Sequence, residues 1–143
     1  MEFEKDRSAG YLVNLVARAF ARALESGIRP LGLSVGVFPA LLQLWDKDGL
    51  TQKDLVDLLG VEQPTLANTL SRMERDGLIL RRKDEADGRA QRIWLTEKGR
   101  AARPAAVAAA SGVNARALSG FTEAERTQFE HLLRRALAGL QEG

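Results

Sequence analysis

The chain has 143 residues and no cysteine. Disulfide stapling, thiolate nucleophiles and thiolate zinc sites are therefore excluded. A single histidine, His131, leaves no second imidazole in the chain for a His-based zinc motif. No metal or cofactor is expected. No run of about 18 or more apolar residues occurs, which argues against a membrane-spanning helix. The first ten residues, MEFEKDRSAG, lack the apolar stretch of a secretory signal. With the missing cysteines, this points to a cytoplasmic protein with no membrane partner. Nucleophile–base pairs and phosphate-cradling glycine loops are also absent, so an enzyme is not expected.

What the chain does have is enough apolar material for one core. Hydrophobic residues make up 45% and charged residues 28%. The net charge is only +2, but it is unevenly spread. Residues 72–103 carry ten basic and six acidic side chains, a local +4, leaving −2 for the rest. A positive segment on a near-neutral chain is the footprint of a phosphate-binding surface.

Hydrophobic periodicity orders the elements. Leu12, Val16, Phe20 and Leu24 predict a helix over 8–26, ended by Gly27 and Pro30. Ser34 is placed to cap a second, strongly apolar helix containing Val37, Phe38, Leu41, Leu44 and Trp45. Thr51 opens a third, and Gly60 suits a tight helix–helix turn. Pro64 stands near the start of a fourth helix whose Leu66, Leu70 and Met73 share one face. The period then changes. Residues 78–83 and 91–95 read as two short strands around a charged loop containing Asp87-Gly88. Thr96 caps a further helix, which Pro104 and Gly112 are expected to kink or interrupt. Thr122 and Glu125 form a capping box for the last. The expected fold is mainly α with a small β-hairpin wing. Its centre is a winged helix-turn-helix core, flanked by N- and C-terminal dimerisation helices.

That order gives the fourth helix a reading role. Opposite its apolar face it offers Gln63, Pro64, Thr65, Asn68, Thr69, Arg72 and Arg75. Gln and Asn can pair with adenine, Arg with guanine or phosphate, and Thr with phosphate or a thymine methyl. The hairpin carries Arg81, Arg82, Lys83 and Arg92 on its arms, with Asp87 and Arg89 near its tip. A thin ribbon ending in arginine fits a narrow minor groove, where negative potential concentrates. Asp87 suits a partner for Arg89 or a turn residue bonding its own backbone.

The stretch from Leu50 to Gly99 resembles the DNA-binding core of the multiple-antibiotic-resistance regulator (MarR) family. The segments that carry the likeness are LTQKDLVDLLGVEQPTLANTLSRMERDGLILRR and DEADGRAQRIWLTEKGR, with Asp87-Gly88-Arg89 as the wing's D-x-R signature. The flanking helices also fall where the family has them. The chain departs at Asn68, often arginine in the family, and at Val56, often alanine. The resemblance implies a homodimer that binds double-stranded, pseudo-palindromic promoter DNA, usually as a repressor. It also implies release by a small aromatic or phenolic ligand. Without cysteine, the family's thiol-oxidation mechanism is closed to this chain.

The sequence argues for a dimer independently. The first and last helices carry longer apolar stripes than a small winged domain needs, so the chain ends are expected to meet a second copy. Two-fold symmetry would set the reading helices about 34 Å apart, one turn of DNA. The expected division is 1–33 and 100–143 for dimerisation and 34–99 for DNA. Tyr11, Arg18, Phe38 and Trp45 are the candidate effector pocket. The competing reading is a winged-helix protein-interaction module without DNA binding, which would favour a neutral or acidic reading face.

Overall fold

The computed structural model describes residues 2–141. Helix α1 spans Ala9–Ile28, with the Ser8 hydroxyl accepting the Tyr11 N–H at 3.3 Å. It runs past the expected stop at Gly27. A Cβ placed on Gly27 would come within 3.1 Å of the Ala109 Cβ. The glycine thus lets a later helix approach closely rather than ending its own. A 3₁₀ turn over Arg29–Leu31 follows, and Gly32 at φ +77° turns the chain away.

Helix α2 covers Phe38–Asp46, and Ser34 does not cap it. Val37 occupies the cap position without a side-chain bond, while the Ser34 carbonyl accepts the Val37 N–H at 3.2 Å. Pro39 in the first turn removes one N–H that would otherwise need a partner. Phe38, Ala40, Leu41 and Leu44 are buried, so α2 is a central helix as its composition predicts.

Strand β1, Leu50–Thr51, leads directly into α3, Gln52–Leu59. Thr51 and Asp54 form a reciprocal capping box: each side chain accepts the other's backbone N–H at 3.0 Å. Gly60 takes the expected left-handed conformation, φ +62°. Helix α4 then spans Gln63–Arg75 and buries Leu66, Leu70 and Met73.

Strands β2, Ile79–Lys83, and β3, Gln91–Leu95, form the expected hairpin, with Leu80 opposite Trp94 and Arg82 opposite Arg92. The sequence did not announce β1, which pairs antiparallel with β3 to give the order β1-β3-β2. Two residues are too few for a periodic signal. The strand exists because Asp48 ties the loop before it to β3, its carboxylate accepting the Leu95 N–H at 2.8 Å.

Thr96 caps α5, Glu97–Ala101, and the chain breaks at Ala102 before α6, Arg103–Ala117. Pro104 accounts for the break, lying in the first turn of α6. Gly112 interrupts nothing and stays helical. The Thr122–Glu125 capping box opens α7, Glu123–Gln141. One core gathers Ile28 of α1, Ala106 of α6, the buried faces of α2 to α4, and Ile79, Ile93 and Leu95 of the sheet. Helix α7 buries none of its described residues, and Leu132, Leu133 and Leu137 are each about half exposed.

Candidate nucleic-acid interface

Helix α4 sorts its residues as the periodicity requires. With three apolar side chains inward, Gln63, Pro64, Thr65, Asn68, Arg72 and Arg75 are exposed, and Thr69 is half-buried. The Thr69 hydroxyl donates to the Thr65 carbonyl at 3.0 Å, so its hydrogen is already used within the helix. Arg72 leans toward the turn ahead of α2, where a Cβ on Gly36 would meet its Nη2 at 3.4 Å. The exposed face therefore presents amides, a hydroxyl and guanidinium groups. These are the groups that pair with base edges and phosphates in a major groove.

The hairpin divides the six wing candidates by position. Side chains alternate across a strand, so Arg81 and Lys83 share one face and Arg82 the other. Arg81 is only 22% exposed. Its Nη2 donates to Glu74 of α4 at 2.9 Å and to the Ser71 hydroxyl at 3.3 Å. Arg81 thus couples wing to α4 rather than standing free as a groove-facing group. The same contact holds the Glu74 carboxyl below the usual glutamate range, chiefly through the hydrogen bond from Arg81.

Arg92 is also turned inward. Its Nη1 donates to the Gly49 carbonyl at 2.8 Å, and its Nη2 lies 3.4 Å from Asp84. The Asp84 carboxyl is lowered, first by the Ala86 N–H and then by Arg92. Arg92 therefore clamps β1 and the wing's root to β3. Arg82 and Lys83 are exposed and make no ion pair among the described residues. At the tip, the Asp87 carboxylate accepts the Arg89 backbone N–H at 3.0 Å and lies 3.6 Å from its Nε. Both expected roles of Asp87 thus hold together. The Arg89 side chain is 96% exposed and projects from the wing.

The four candidate effector residues take different positions. Phe38 lines a cavity of about 480 Å³ between α1, α2 and α6, with Phe20, Leu24, Leu42, Ser111 and Asn114. Tyr11 and Arg18 lie exposed on α1 and are not among its lining residues. The Trp45 indole packs edge-on to Phe38 at 6.0 Å and donates to the Gly99 carbonyl at 2.9 Å, which makes it a brace. Helical spacing could not reveal this, because whether an aromatic faces a cavity or the core depends on the neighbouring helix.

Two residues missed in the sequence also belong to the site. Glu74 anchors the wing through Arg81. Gln52, the first residue of α3, donates from its Nε2 to the Gln63 Oε1 at 3.2 Å. Each lies on a different element from its partner, so neither pairing has a local signature.

A helix-turn-helix whose second helix exposes polar readers, braced against an arginine-tipped hairpin, defines a DNA-binding winged-helix regulator. The comparisons with known proteins agree. A family model described as the MarR family matches residues 33–90. A MarR-family transcriptional regulator from Silicibacter pomeroyi is 31% identical and superimposes with a TM-score of 0.82, covering 100% of this chain and 99% of that one. A MarR-family regulator from Listeria monocytogenes, crystallised with 26mer DNA, is 26% identical with a TM-score of 0.87, covering 94% and 89%. An HTH-type transcriptional repressor of Mycobacterium tuberculosis is 27% identical over 93% of this chain and 96% of its own length. The chain belongs to the MarR family of transcriptional regulators, which are not enzymes. Among the described residues no helix is long and apolar enough to cross a membrane.

Proposed function

We propose that the protein is a cytoplasmic, homodimeric repressor. It binds a pseudo-palindromic operator in double-stranded DNA and is released by a small aromatic or phenolic ligand. Residues 34–99 contact DNA, and residues 1–33 with 100–143 join the two copies. Gln63, Thr65, Asn68, Arg72 and Arg75 of α4 enter the major groove. Arg82 and Lys83 meet phosphates, and Arg89 enters the minor groove. The observation that carries this reading is the uncovered polar face of α4 joined to a wing whose Arg82, Lys83 and Arg89 remain exposed. An interaction module would have no use for three outward cations beside a row of amide and hydroxyl groups.

Dimerisation is supported by the uncovered apolar side chains of both chain ends: Leu12, Val13, Leu15 and Val16 on α1 and Leu132, Leu133 and Leu137 on α7. Exposed apolar side chains in such number favour an interface. Repression is supported by the mycobacterial relative, which is named a repressor. The ligand reading is supported by the Phe38 cavity, an apolar chamber with Ser111 and Asn114 as its polar groups. A ligand there acts only if it prefers a geometry of the pair that cannot bind DNA.

The test is selection of genomic fragments by the purified protein, repeated with salicylate, benzoate and 4-hydroxybenzoate. Recovery of a two-fold sequence, released by one of these acids, supports the proposal. Failure to enrich any sequence overturns the DNA reading. Release that survives replacement of Leu42 by Trp, which would fill the cavity, overturns the ligand site.

A further inference from the structure

The helix-turn-helix brings two glutamine amides together. Gln52 is the first residue of α3 and Gln63 the first residue of α4, so both stand where helices begin. The backbone of Gln52 is firmly held. Thr51, just before it, pairs with Arg92 in the sheet and forms the capping box with Asp54. From that platform the Gln52 Nε2 donates to the Gln63 Oε1 at 3.2 Å. Among the described residues, neither amide makes another side-chain hydrogen bond.

We infer that Gln52 is a positioning residue for Gln63, and that the oriented Gln63 amide reads adenine in the major groove. This rests on the DNA-binding reading above. A free glutamine at a helix start samples many rotamers and can present its amide either way round. The bond from Gln52 narrows that freedom. It turns the Gln63 carbonyl oxygen toward α3 and leaves both Nε2 hydrogens unengaged. An amide oxygen has two lone pairs, so Gln63 Oε1 keeps one for the adenine N6 amino group while its Nε2 donates to N7. That donor–acceptor pair is the one by which glutamine distinguishes adenine from the other bases. Gln52 keeps a second Nε2 hydrogen, which suits a backbone phosphate oxygen. The two residues then couple register on the backbone to reading of the base.

The experiment is selection of binding sites from a random duplex library with the full chain. It compares wild type, Gln52→Met, Gln63→Met and the double variant. Methionine keeps the length of the side chain and removes donor and acceptor. Wild type should enrich adenine at one position of each half-site. Each single variant should lose about tenfold of that preference, within the range a bidentate contact supplies. The double variant should lose no more than either single. Affinity for unrelated duplex should fall little in Gln63→Met, because phosphate contacts carry no sequence information. The inference is overturned if Gln52→Met keeps the wild-type base preference, if it weakens all sequences alike, or if the two losses add. Thermal melting accompanies each variant, and Gln52→Leu repeats the measurement should Gln52→Met melt early. If wild type itself enriches no sequence, the DNA-binding reading fails first, an outcome distinct from a change confined to one base.

Discussion

Adding one methyl group at Gly99 should unfold the protein several degrees early, whereas the same addition at Gly112 should stabilise it. Both glycines are helical. Helix propensity alone favours alanine by about 1 kcal/mol at each. Their surroundings decide the sign. A Cβ on Gly99 would collide with the Leu78 carbonyl oxygen and lie 3.2 Å from the Leu95 Cδ2. The obstacle is backbone, so it cannot rotate away. Helix α5 would have to lift off the sheet. That movement would strain the bond from the Thr96 N–H to the Leu78 carbonyl, 3.0 Å, and the Trp45 indole bond to Gly99. Overpacking of this kind costs about 1–3 kcal/mol, and each weakened hydrogen bond about 1 kcal/mol. After the propensity gain, a net loss of about 2–4 kcal/mol remains for Gly99→Ala. A Cβ on Gly112 would meet no other part of the described residues within 4 Å. Gly112→Ala should therefore gain about 0.5–1 kcal/mol. For a chain of this size those values correspond to a melting temperature lower by about 6–16 °C and higher by about 2–4 °C. The assay is thermal unfolding by circular dichroism at matched protein concentration, since association shifts the midpoint. A Gly99→Ala protein that melts with wild type, or a Gly112→Ala protein that melts earlier than wild type, would refute the reasoning.

Three further outcomes are expected. Arg89→Ala should weaken operator binding by about 1–3 kcal/mol without changing the melting curve; full affinity in a folded variant, or a salt dependence that is flat for wild type, would remove the wing from the interface. Leu133→Glu on α7 should yield a smaller particle in sedimentation velocity while the helical spectrum persists, because Leu133 is left 44% exposed by the described residues of the single chain; an unchanged mass would place the interface elsewhere. Glu74→Gln should cost less than about 1 kcal/mol at neutral pH, since Glu74 is partly exposed and solvent screens its pair with Arg81. Glu74 has a lowered pKa in the folded chain, so its contribution is present above the unfolded value and vanishes as pH falls through the folded one. Urea titrations of the two proteins should therefore converge in acid, and a gap that widened there would reverse the assigned sign.

Local chemistry was enough to lay out most of this protein. The Thr51, Thr96 and Thr122 caps, the left-handed Gly60, the Leu66–Leu70–Met73 face and the two arms of the hairpin all arise from side chains a few residues apart. The sequence therefore contained the winged helix-turn-helix order and the polar face of α4. Contacts between distant segments were decided by packing. Gly27 reads as a stop but is a close-packing point, because Ala109 arrives from α6. Strand β1 is two residues long and exists through β3. Arg81 and Arg92 look like free cations in a basic run, yet Glu74, Asp84 and Gly49 claim them. The Gln52–Gln63 amide pair spans two helices. A periodic pattern states which way a side chain faces on its own element; only the folded chain determines what stands opposite it, and so which polar groups remain free for DNA.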